Sequence, residues 1–143
     1  MRADFYVLAQ PSPEARLRLA CRVAEKAYLA GLGVLIWHTD RAELERLDAL
    51  LWTFNDTSFV PHAWLGAAAG APVQLSAGAA AGGPIDMLIN LEASADPPAC
   101  SGQAARIAEI IDGEPARRDA ARARFRAYRE RGYELQTHNL DAL

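Results

Sequence analysis

Residues 4–37, DFYVLAQPSPEARLRLACRVAEKAYLAGLGVLIW, decide the fold. Asp4–Leu8 is a short apolar and aromatic run that reads as a strand and ends at a turn. Ser12 followed by Pro13 is a helix start, with serine capping and proline in the first turn. Ala15–Ala30 carries apolar residues at helical spacing, and Gly31 stops it. Val34–Trp37 then follows as an unbroken apolar run, the pattern of a strand buried on both faces. A strand, helix, strand unit results.

Outward from it, Asp40 with Glu43 three residues later is a capping-box-like start for a second helix through about Leu51. Leu44, Leu47, Leu50 and Leu51 share one face of it. Thr53–His62 reads as a loop, one unusually rich in aromatic residues. Gly66–Pro84 is a plain Ala/Gly-rich connection enclosing a strand at Val73–Leu75, and Met87–Asn90 is another buried strand. Arg106–Ile111 fits either a strand or the end of a helix begun near Ser101. The last long element is a helix from about Pro115 to Arg131, closed by Gly132. The expected fold is α/β: one three-layer α/β/α domain over residues 1–143, with a mostly parallel or mixed central sheet, Rossmann-like, and with right-handed crossovers between parallel strands.

Composition narrows the chemistry. The chain has 143 residues, 51% of them hydrophobic, and a formal net charge of −3. A core can therefore form without disulfides or metals, and Cys21 and Cys100 read as free thiols of a cytoplasmic protein. Neither a signal peptide nor an 18-residue apolar run is visible. Fourteen of the 15 basic residues are arginine, so Schiff-base or Walker-type chemistry would have to use Lys26, which stands in a helix far from any glycine loop. GAAAGAP lacks the following Lys and Ser/Thr of a phosphate loop, and neither GxGxxG nor GxSxG occurs. His38, His62 and His138 are scattered, and only His138 with Asp141 has ligand-like spacing, so no metal or cofactor is expected. Cys21, mid-helix among Leu17, Ala20 and Ala24, reads as an inert buried thiol. No catalytic constellation is present.

Charge is unevenly distributed. Residues 1–113 carry 8 basic and 13 acidic side chains, a net −5, whereas 114–143 carry 7 and 5, a net +2. The basic part is the helix RRDAARARFRAYRER, residues 117–131. At 100° per residue, Ala116, Ala120, Ala123 and Ala127 form one ridge, expected to pack on the sheet. Arg118, Arg122, Phe125, Arg126 and Arg129 would then face solvent, with only Asp119 and Glu130 to balance them. Guanidinium forks beside an aromatic ring suit a peptide carboxylate with an apolar side chain; short nucleic acid is the competing ligand. A second candidate surface is Leu51, Trp52 and Phe54 with Phe59, Val60 and Pro61, either a cap on the core or a docking patch.

With FYVL near the start, ACRVAEKAYLAGLGVLIW, LDALLWTFNDTSFVPH, DMLINL, EIID and ARARFRAYRERGYEL in this order, the chain resembles the chi subunits of bacterial DNA polymerase III. That resemblance implies a replication adaptor without catalytic activity. One surface would bind the acidic tail of single-stranded-DNA-binding protein, which ends in Pro-Phe with a free carboxylate. It implies Arg118, Arg122, Phe125 and Arg126 for that tail, with arginine where the family often has lysine and Phe125 where it has tyrosine. It implies Trp52, Phe59, Val60 and Pro61 for the psi subunit of the clamp loader, a surface some members offer to a helicase-like repair protein. DNA would be met only indirectly. The contrasting reading, a Rossmann-like nucleotide-binding or hydrolytic enzyme, would need a glycine-rich turn after the first strand, where AQPSPEA stands instead.

Overall fold

Val34–Trp37 is buried at all four positions, which requires layers on both sides of its strand, and the architecture follows from that requirement. The computed structural model describes residues 1–56, 59–67, 70–79 and 82–140. The elements run β1 (Arg2–Leu8), α1 (Pro13–Leu29), β2 (Val34–Trp37), α2 (Arg41–Thr53), β3 (His62–Trp64), β4 (Val73–Ser76), β5 (Ile85–Asn90), a 3-10 turn (Ser101–Gln103), β6 (Ala104–Ile111), α3 (Pro115–Glu130) and β7 (Glu134–Leu140). The seven strands form one sheet in the order β3-β4-β2-β5-β6-β1-β7, and every pairing is parallel. The sheet is thus parallel throughout rather than mixed, and Arg106–Ile111 belongs to a strand.

Successive strand residues point to opposite faces. Leu8, Ile36, Leu75, Ile89 and Ile110 pack with Leu17, Cys21, Leu44 and Leu47 of α1 and α2. Phe5, Leu35, Leu88, Ile107 and Ile111 pack with Ala121 and Tyr128 of α3. Ser12 Oγ caps α1 by accepting from the Ala15 N–H at 3.2 Å, and Asp40 caps α2 by accepting from the Glu43 N–H at 3.1 Å. The return half of the expected capping box is absent, because Glu43 turns inward: it accepts from Arg16 Nη1 at 2.6 Å and meets His38 Nε2 at 3.0 Å. Gly31 and Gly132, each just past a helix, have φ of 82°, the left-handed conformation that glycine adopts without strain.

Two strands lie where no strand was expected. His62–Trp64 is a three-residue edge strand at the end of the aromatic loop, and Glu134–Leu140 is the opposite edge. Within the Ala/Gly stretch, residues 68, 69, 80 and 81 lie outside the described residues, as does Asp141 of the His138/Asp141 spacing. Cys21 and Cys100 are buried free thiols.

Candidate functional site

Helix α3 is held by a buried acid on the sheet. Glu109, in the middle of β6, is wholly buried and takes donors from three side chains: Tyr128 Oη at 2.7 Å, Arg124 Nε at 3.1 Å and Asn90 Nδ2 at 3.0 Å. A buried carboxylate needs such donors to avoid a large desolvation cost. The buried side of α3 is therefore Ala121, Arg124 and Tyr128, and the alanine ridge does not face the sheet: Ala116 is exposed, and Ala120, Ala123 and Ala127 are half-buried. The alanines compete poorly for that position because they offer Glu109 no hydrogen bond.

This rotation of about 100° changes what the arginine face does. A face directly opposite the sheet would look into bulk water; this one lies alongside the sheet and encloses a cavity of ≈ 400 Å³ with it. Phe5, Val7, Ile111 and Ala121 make the floor, Phe125 a wall, and Arg118, Arg122, Arg126 and Arg129 the rim, with Thr137 of β7 across from them. All four residues expected to hold a peptide tail thus meet in one cavity. Phe125 is half-buried rather than held out to solvent, and its ring packs edge-on against Phe5 at 5.3 Å between centroids. Arg129, outside the expected set, belongs to the rim, with its guanidinium 6.0 Å from the Phe125 ring centre. Phe5 and Val7 show in the sequence only as strand residues, and their alternation along β1 is the signal that puts them on the face toward α3.

The four arginines are not equivalent. Arg118 is fixed, donating to the carbonyls of Leu8 at 3.1 Å and Ala9 at 3.3 Å. Arg122 pairs with Asp119 at 2.6 Å on the surface, both side chains well exposed. Arg126 and Arg129 have no ion pair among the described residues. Beneath them, Arg117 grips the buried Asp112 through two 2.7 Å contacts. Burial pushes the Asp112 carboxyl up, but hydrogen bonds from Arg117 and from the Ser12 and Glu114 N–H groups outweigh it and hold the group below the usual range.

A crevice at which such folds take nucleotides, the one between β1 and β6, is closed. In open parallel sheets ligands sit outside the strand carboxyl ends where the direction of winding reverses. One such place lies between β1, which leads to α1 on one face, and β6, which leads to α3 on the other. The two loops are bonded together there: the Gly113 N–H donates to Gln10 O at 3.0 Å and the Ser12 N–H to Asp112 Oδ2 at 2.9 Å. A Cβ on Gly113 would lie 2.5 Å from Ala9 O, so the fit admits only glycine.

His38, Asp40 and Glu43 offer ligand-type atoms within 4.8 Å of one another, a grouping missed by looking only at i+3 and i+4 from each histidine, because Glu43 is at i+5 from His38. Glu43 is already held by Arg16 and His38, and Asp40 caps α2, so the cluster serves to lock α1 and α2 to the strand ends. The hydrogen bond from His38, with Arg16 adding to it against burial, lowers the Glu43 carboxyl to about 2. Burial pushes the Cys21 thiol up to about 12, which denies it thiolate character.

The second candidate surface is an exposed aromatic pair at the end of α2. Trp52 is 55% and Phe59 61% exposed, with ring centroids 5.5 Å apart. His62 supports them: its ring lies 4.5 Å from that of Trp52, and its Nδ1–H donates to Val60 O at 2.7 Å. Leu51 and Val60 are buried in the core, and Phe54 and Pro61 are half-buried, so the presented surface is Trp52 and Phe59.

Fold and surface together define a one-domain, all-parallel α/β protein with a sealed switch point, a basic aromatic cavity on one helix and an exposed aromatic pair on another. Among the described residues no helix is long and apolar enough to cross a membrane. The sequence profile of the family described as DNA polymerase III chi subunit, HolC, matches residues 1–136, and the chain belongs to that family, whose members are accessory subunits of a bacterial replicative polymerase. It is similar to the DNA polymerase III subunit chi of Pseudomonas aeruginosa, 45% identical over 139 residues that cover 97% of this chain and 96% of that one. The subunit chi of Escherichia coli is 32% identical over 145 residues, covering 94% and 95% of the two chains.

Proposed function

We propose that the α3 cavity captures the acidic C-terminal tail of single-stranded-DNA-binding protein, and that Trp52 and Phe59 dock the psi subunit, so that the chain links that protein to the clamp loader. One observation carries this reading: an apolar floor deep enough for a phenyl ring lies under a rim of four arginines. The terminal phenyl group rests on the apolar floor against Phe125, Arg126 takes the carboxylate with its fork, and Arg122 exchanges Asp119 for an acidic residue of the tail. Arg118, tied to backbone carbonyls, holds the end of the cavity open. The sealed crevice between β1 and β6 weighs against the nucleotide-binding enzyme reading.

The interface is small, so micromolar, salt-weakened binding is expected, on the order of −8 kcal/mol at 1 μM. Calorimetric titration with an acidic peptide ending in Pro-Phe, and with its C-terminally amidated form, tests it. The free acid should bind at least tenfold more tightly; equal binding of both, or of neither, refutes the carboxylate clamp.

A further inference from the structure

A second cationic cavity lies on the other face of the sheet, between α1 and strands β1, β5 and β6. Its volume is ≈ 230 Å³, and Arg22, Lys26 and Arg106 line it with no carboxylate among the lining residues. Lys26 is the chain's one lysine, and it stands one helical turn from Arg22 on an exposed stripe. Neither residue has an ion pair among the described residues. Arg106 is incompletely satisfied: its Nε is sealed from solvent without an acceptor, and its Nη2 reaches Asp4 only at 3.6 Å. Asp4 is already shared with Arg2 at 3.0 Å and His138 at 3.1 Å, so it cannot neutralise the group.

The rest of the wall is apolar and partly aromatic. Tyr6 lines it, half-buried and stacked on His138 at 4.8 Å with an interplanar angle of 16°; Val23 and Met87 complete that side. Three converging cations exceed what one carboxylate neutralises, but they match a phosphate, which carries up to about two negative charges and has several acceptor oxygens. Beside them an aromatic ring and an aliphatic floor offer a stacking surface to a planar group. We propose that this cavity binds a nucleoside phosphate, its base against Tyr6 and its phosphate against Arg22, Lys26 and Arg106. The sheet separates this site from the peptide cavity, so one chain can hold both ligands at once.

The ligand could be a free nucleotide or one unit of a single strand, and the experiment separates the two. The full chain is titrated with 5′-dTMP, with a single-stranded oligo(dT) and with inorganic phosphate, in parallel with Arg22→Ala/Lys26→Ala and with Tyr6→Leu. Both alanines fall at exposed positions of a helix that favours them, so the double variant should keep its affinity for the acidic peptide within twofold, showing that it is folded. Its affinity for the nucleotide probes should fall at least tenfold. Tyr6→Leu should weaken dTMP at least fivefold and leave phosphate unchanged. A strand is the ligand if oligo(dT) binds more than tenfold tighter than dTMP, with a log–log salt slope of about −2 for three contacts; a free nucleotide is the ligand if the two bind alike. The proposal fails if the parent binds neither nucleotide probe, if the double variant binds them as the parent does, or if inorganic phosphate binds as tightly as dTMP.

Discussion

Replacing Arg124 by methionine tests whether the Glu109 network sets the orientation of the arginine-bearing helix. Arg124 is 3% exposed and Glu109 is fully buried, so Arg124→Met leaves a carboxylate in the core with only Tyr128 and Asn90 as donors. Removing one member of a buried ion pair costs about 3–5 kcal/mol, which for a chain of this size lowers the melting temperature by roughly 10–15 °C. Methionine nearly matches the volume of the arginine stem, so the loss reflects charge rather than a cavity. Urea unfolding at neutral pH measures it. Glu109→Gln/Arg124→Met removes the orphaned charge as well and should recover much of the loss, giving a coupling energy above about 1.5 kcal/mol in a double-mutant cycle. Ala123→Gln, on the ridge that the helical projection alone would bury, should cost under about 0.5 kcal/mol because Ala123 is half-exposed. If Arg124→Met costs less than about 1 kcal/mol, or Ala123→Gln costs as much, the orientation of α3 is set by something other than Glu109.

Phe125→Ala removes the edge-on contact with Phe5 and part of the cavity wall; it should cost about 1–2 kcal/mol of stability and at least tenfold in affinity for the acidic peptide, whereas Phe125→Tyr should keep both, as unfolding and calorimetry will show. Trp52→Ser/Phe59→Ser alters mostly exposed rings, so stability should change by less than about 1 kcal/mol while co-elution with a psi subunit on gel filtration is lost; unchanged co-elution would move that interface elsewhere. The Glu43 carboxyl is depressed in the fold, so the native state binds fewer protons there than the unfolded chain; its stabilisation is full above about pH 4.5 and is lost as pH falls toward 2. Acid titration of stability should show this, and Glu43→Gln should flatten it by about 1–2 kcal/mol, after allowance for screening at a partly solvated group.

How much was legible depended on burial. Val34–Trp37 and the Met87–Ile89 run of β5 announce themselves because strands covered on both faces need continuous apolar side chains. ELQTHNL does not, because an edge strand with one neighbour can keep polar residues at most positions. That Arg118, Arg122, Phe125 and Arg126 share one side of α3 is readable from their spacing, but the shape of the cavity they line is not. A helical projection ranks faces by hydrophobicity, and so it chose alanine over an arginine and a tyrosine whose burial depends on an acid of another element. The clue was Glu109 itself, a lone carboxylate inside the apolar run RIAEII, which a parallel strand cannot bury without distant donors. Likewise, Val60 reads as part of an aromatic patch but alternates inward beneath it.

The place of β1 in the sheet has a consequence for how the domain assembles. Strand β1 lies between β6 and β7, the two strands farthest from it along the chain, with registers linking Arg2 to Arg106 on one side and to Glu134 on the other. Both of its hydrogen-bonding edges therefore stay open until nearly the whole domain has been translated, and the apolar Phe5 face waits with them. Contacts spanning more than a hundred residues make closure of this half of the sheet slow compared with the local α1–β2–α2 unit. The cavity floored by Phe5 and rimmed by α3 accordingly closes late, and a chain arrested before β7 would expose an adhesive edge in its place.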